Sequence, residues 1–182
     1  MQMRLLRVAG LALTVGACGA LPIKPPPDTA SIPVWATPTW QGDYEAILHA
    51  QWAWADPSRT HGLPAQGALA VAEIDYLAGE LSTNLRYLNL SPLAKMRMLQ
   101  ARADVRAVLG VKPDAPSQAV VDAMLATQAA LEAGDRRRAL TYLSAPIFTR
   151  GSQETLALLG ALPYVQTANI GTAMTAQSPM FS

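Results

Sequence analysis

Residues able to do acid–base or metal chemistry are sparse in this chain of 182 residues. The two histidines, His49 and His61, stand twelve residues apart. With Asp56 or Glu73 they could converge on a metal, imidazole and carboxylate both being ordinary ligands. A hydrogen-bonded or solvent-exposed histidine is the simpler reading, and no metal is expected. Glu73 and Glu80 lie seven residues apart on one helix face, a pairing that carboxylate-driven hydrolysis can exploit. Solvated acids beside an apolar stripe explain them more simply. The sequence holds no GxSxG elbow, no GxxxxGK[ST] phosphate loop, no GxGxxG turn and no HExxH pair, so neither an enzymatic activity nor a cofactor is expected.

Aromatic and basic residues give two binding candidates. Trp35, Trp40, Trp52 and Trp54 are all the tryptophans of the chain, and with Tyr44 they fall within 20 positions. Such amphipathic rings suit lipid headgroups, sugar rings or a protein hot spot. Equally, they can fill the core where the first helix begins, and that reading is preferred. Arg136, Arg137 and Arg138 follow one another in what should be the first turn of a helix. Cations oppose the macrodipole there, so an anion contact is a candidate role, with ion pairing to Glu132 and Asp135 as the alternative. Lys95, Arg102 and Arg106 share one side of a helical wheel and read as a solvated flank whose stems cover the core edge. With 14 basic against 13 acidic side chains, the chain has no nucleic-acid footprint.

The N-terminus is more specific. Arg4 and Arg7 precede a short apolar run, Val8 to Val15, and small residues lead to Cys18, the one cysteine. A basic start with so short an apolar stretch describes an export signal rather than a membrane span. Val15-Gly16-Ala17-Cys18 resembles the lipobox of bacterial lipoproteins. That resemblance implies removal of residues 1–17 and acylation of Cys18. Gly19 in place of Asp implies the outer membrane, facing the periplasm. Two or three acyl chains anchor a protein stably, where a single chain does not. Loss of Arg4 and Arg7 would leave 12 basic and 13 acidic residues, a mature charge of −1.

Six of the 14 prolines fall between residues 22 and 38, where they exclude helix and sheet. Residues 18–39 therefore read as a lipidated cysteine and a Pro-rich tether. At about 3.1 Å per residue in polyproline II, it reaches on the order of 60 Å.

Beyond it, alanine (33) and leucine (24) far outnumber valine plus isoleucine (16), a bias toward helix. Expected helices run near Asp43 to Trp54, along a stripe of Val71, Ile74, Ala78, Leu81, Leu85 and Leu88, and from Ser91-Pro92 to Gly110 with Ala94, Met98, Ala101, Val105 and Leu109 inward. Others are expected over Ser117 to Ala133, from an Asp135 cap to Leu143, from a Ser152 cap to Leu162, and after Pro163. Ala133-Gly134-Asp135 with Ala139, Leu140 and Leu143 is similar to the turn of one tetratricopeptide unit, which supports helix-on-helix packing.

The expectation is an all-α domain over residues 40–176, an irregular bundle or stacked hairpins of five to seven helices, with a flexible tail at 177–182. Its expected role is a lipid-anchored accessory or scaffold protein with a protein partner at the cell envelope. A ligand- or glycan-binding protein using the tryptophans is the alternative, and an envelope hydrolase the less favoured third.

Overall fold

The computed structural model describes residues 28–33 and 42–181. Among them are seven α-helices: α1 (Gly42–Ala55), α2 (Pro64–Thr83), α3 (Pro92–Leu109), α4 (Ser117–Glu132), α5 (Arg136–Tyr142), α6 (Ser152–Leu159) and α7 (Gln166–Ala176). No strand occurs among the described residues; one isolated bridge joins Val111 and Phe148. The fold is all-α. No helix among the described residues is long and apolar enough to cross a membrane.

Helix α2 is the centre. It packs against α1, α3, α4 and α6, and Ala68 to Gly79 is buried on nearly every side. Small residues let its neighbours come close. A Cβ at Gly67 would collide with the Leu159 carbonyl oxygen of α6, and one at Gly79 would lie 2.5 Å from the Asp28 carbonyl oxygen. Helix α7 packs across α1 and α3, while α4 pairs with α5. Val71, Ile74, Leu77 and Leu81 of α2 join Met98, Leu109, Met124, Leu125, Leu143 and Leu159 in one core.

Local signals set most boundaries. Pro64 and Pro92 occupy first-turn positions, where a missing N–H costs nothing. Gly134 adopts φ +72° and donates to Leu131 O, while the Asp135 N–H reaches Ala130 O at 2.8 Å, a left-handed helix stop. The Asp135 side chain then accepts from Arg138 N at 2.9 Å, capping α5 as its position predicts.

Three boundaries differ from the sequence expectation. The stripe of α2 stops at Thr83, because Asn84 turns to extended backbone with ψ 129° and its side chain accepts from Arg86 N. Leu85 and Leu88 are therefore 83% and 72% exposed, not inward. Ser152 is the first residue of α6, with Gly151 at φ +81° in the capping position. That helix ends at Leu159 rather than Leu162.

Chain ends also make contacts. Residues 28–33, read as tether, lie against the helices, and Ala30 and Ile32 pack on the core. Residues 177–181, read as flexible tail, bring the Phe181 ring to 6.3 Å from Tyr44 and 5.9 Å from Tyr87.

Candidate functional site

Two polar clusters converge on α2. The first links it to α1. Glu73 lies in the fully packed stretch of α2 and is 2% exposed, α1 packing against α2 there. His49 of α1 meets it, Nδ1 lying 2.6 Å from Glu73 Oε2, while Nε2 lies 3.0 Å from Gln66 Oε1. Burial pushes the Glu73 carboxyl up to about 7, against the opposing pull of His49. Burial alone would lower the pKa of His49, but the Glu73 and Gln66 contacts together raise it. Glu73 is thus not the solvated acid that its spacing from Glu80 suggested. Glu80 lies further along α2 and accepts from Asn84 Nδ2 at the helix end.

His61 is exposed and Asp56 caps a short turn, accepting from Ser58 N at 2.8 Å. Among the described residues, no group of three His, Cys, Asp or Glu side chains converges as a metal site would require. His49 has both ring nitrogens engaged, Nδ1 with Glu73 and Nε2 with Gln66.

The second cluster joins α2, α3 and α4 to the N-terminal segment. Arg106, expected on a solvated flank, is 6% exposed. Its Nε and Nη2 donate to Asp75 Oδ2 and Oδ1 at 3.0 and 2.5 Å, a bidentate fork on one carboxylate. The remaining donors reach the carbonyls of Pro113 and Ala115 and the Ser117 hydroxyl. A buried guanidinium is tolerated when its donors are satisfied in this way. Arg102, one turn earlier, donates through Nη1 to the Asp28 carbonyl at 2.7 Å and to Ser117 Oγ at 3.0 Å. The Asp28 carboxylate accepts the Ser117 N–H, an acid against the first turn of α4. Gln118 completes the clasp: its Oε1 accepts from Ser31 N at 2.8 Å and its Nε2 donates to Ser31 O at 3.1 Å. Backbone of the N-terminal segment is therefore bound as an extended peptide would be. An open cleft of about 600 Å³ adjoins it, with Leu99, Arg102, Val111 and Pro113 in its walls.

The remaining candidates are dispersed. Cys18, Trp35 and Trp40 lie outside the described residues. Trp54 is 4% exposed and donates from Nε1 to Ala70 O at 3.2 Å, so it is a core residue rather than surface. Trp52 is exposed, its ring 5.4 Å from that of His49. Arg136, Arg137 and Arg138 are exposed. Arg138 Nε donates to the Tyr142 hydroxyl at 2.8 Å and its guanidinium lies over that ring, while Arg136 reaches Gln153.

Sequence reading missed Asp75, Asp28, Ser117 and Gln118. A signal for Asp75 existed, since it is a charge set between Ile74 and Leu77 in an apolar run. Nothing local marked the other three. No family model, curated protein or solved structure matches the chain.

Proposed function

We propose that this chain is a lipid-anchored, non-enzymatic helical protein of the bacterial cell envelope, acylated at Cys18 after loss of residues 1–17. Its helical body faces the periplasm from the outer membrane and acts as an accessory or scaffold subunit for an envelope protein partner. The observation that carries this reading is the Val15-Gly16-Ala17-Cys18 motif behind a short basic and apolar start, to which the clasp on residues 28–33 adds a fixed exit point for the chain. A tether serving as a mere spacer has no need of hydrogen bonds to Arg102, Ser117 and Gln118. A clasped tether instead holds the domain close to its anchor. Cys18 to Asp28 is ten residue steps, at most about 35 Å even fully extended, against on the order of 60 Å for a free tether. A shorter tether raises the effective concentration of the domain at partners in the same membrane.

The side-chain pairing favours a non-catalytic role, since His49, Glu73, Asp75 and Arg106 are all engaged with one another or with backbone. The glycan-binding alternative loses Trp54 to the core. Labelling cells with a tagged fatty acid tests the anchor. Wild-type protein is expected to label and Cys18→Ser to remain an unlabelled precursor, and label surviving in that variant overturns the reading. Crosslinking in intact cells tests the scaffold role: a discrete envelope protein in the adduct supports it, and adducts to lipid or to the chain itself alone count against it.

A further inference from the structure

The helical body holds residues 28–33 as a receptor holds a peptide. Asp28, Thr29 and Ser31 are exposed, while Ala30 and Ile32 are half-buried against the core. Inward and outward side chains alternate from Thr29 to Ile32, as they do in an extended segment. Most of the recognition falls on main chain. Gln118 accepts the Ser31 N–H and donates to the Ser31 carbonyl, and Arg102 donates to the Asp28 carbonyl. Gly79 leaves room for that carbonyl, since a Cβ there would lie 2.5 Å from its oxygen. Two contacts read side chains. The Asp28 carboxylate accepts the Ser117 N–H at the start of α4, and the Ser31 hydroxyl donates to Gln118 Oε1 at 3.2 Å. Main-chain bonds supply affinity in such a site and the few side-chain seats supply specificity. An extended segment with a carboxylate three residues before the clamped one meets its principal demands.

Charge favours an acidic occupant. Arg102 forms no ion pair among the described residues, and only its Nη1 donates within them. The groove is longer than the six residues it holds. A cleft of about 600 Å³ adjoins Asp28 beside Arg102, and a second of about 460 Å³ adjoins Pro33 beside Leu125 and Ala129 of α4. Emptying the groove would strip the Ser117 N–H, Arg102 and Gln118 of their partners. Polar groups left unpaired in a packed site are costly, so one segment replaces another there more readily than the site stands empty.

We propose that this groove is the partner-docking site of the chain, where an extended acidic segment of another protein takes the place of residues 28–33. The inference rests on the scaffold reading and names the surface that holds the partner. The probe is a fluorescein-labelled peptide, Asp-Thr-Ala-Ser-Ile-Pro, followed by anisotropy against full-length chain purified in detergent. In one variant, residues 28–33 are replaced by alternating Gly and Ser, which vacates the groove. That variant should bind the peptide at least tenfold more tightly than wild type, whose own segment competes at an effective concentration on the order of millimolar. Asn in place of Asp in the peptide should weaken binding by about tenfold, and Gln118→Ala in the vacated chain by about fivefold. No binding to a vacated chain of wild-type helicity overturns the proposal, as does binding that ignores both changes. Loss of helicity in that variant overturns it too, because residues 28–33 would then be part of the fold rather than an exchangeable ligand. Wild-type dimers that the vacated chain does not form, measured by light scattering, would put a second copy in the groove and overturn the choice of partner. Peptide binding is read without Cys18 and without the partner, so its failure strikes the docking site alone, whereas the crosslinks in intact cells decide the scaffold reading.

Discussion

His49 and Glu73 hold protons in the folded chain that the unfolded chain has released over part of the pH range. Glu73 rises from an ordinary 4.5 to about 7 through burial, and His49 is raised as well. A raised folded value contributes stability that is complete below about pH 4.5 and is lost as pH climbs through about 7. Thermal melts should therefore show Tm falling between pH 5 and pH 8, by an amount on the order of 2 kcal/mol or about 5 °C. Glu73→Gln should flatten that dependence; an equally steep profile in the variant would refute the assignment. The Arg106–Asp75 fork gives a second prediction. Asp75→Ala leaves a buried guanidinium without its carboxylate and should cost about 3–5 kcal/mol in urea unfolding, whereas a loss under 1 kcal/mol would mean that the carbonyls and Ser117 suffice. Sequence spacing drew attention to Glu73 but assigned it to solvent. Periodicity tells which side of a helix is apolar, and α2 is covered on its polar side too.

Helices read well because their stops are local. Proline at a first turn, Gly134 at positive φ and the Asp135 cap each act through neighbours within a few residues, so the sequence carries them. The register of Met98, Val105 and Leu109 was legible for the same reason, and all three are buried. Leu85 and Leu88 were misplaced because the 3.6-residue period continues through them while Asn84 ends the helix by bonding Arg86 N. Contacts between elements had no such signature. Gly67 and Gly79 show that most clearly, each being ordinary in sequence and obligatory in packing. Gly67→Ala would press a methyl group onto the Leu159 carbonyl of α6 and should destabilise by about 1–3 kcal/mol. Gly79→Ala would act on the N-terminal segment instead. Its expected sign is faster proteolytic cleavage within residues 28–33 with little change in Tm, and unchanged cleavage would argue against the clasp.

At the scale of the whole molecule, a helical body is clasped to its own N-terminal segment, and the proposed lipid at Cys18 lies ten residue steps before that clasp. The four residues Arg102, Asp28, Ser117 and Gln118 come from three separate parts of the sequence, which is why the clasp was invisible in the sequence while the lipobox resemblance was not. Together they hold residues 28–33 against α3 and α4. The most direct measurement is mass spectrometry of the N-terminal peptide from protein purified out of the envelope in detergent. A lipid-anchored protein should yield a chain beginning at Cys18, with diacylglyceryl on its sulfur. A free thiol at Cys18, or a mature chain that begins at any other residue, would contradict it.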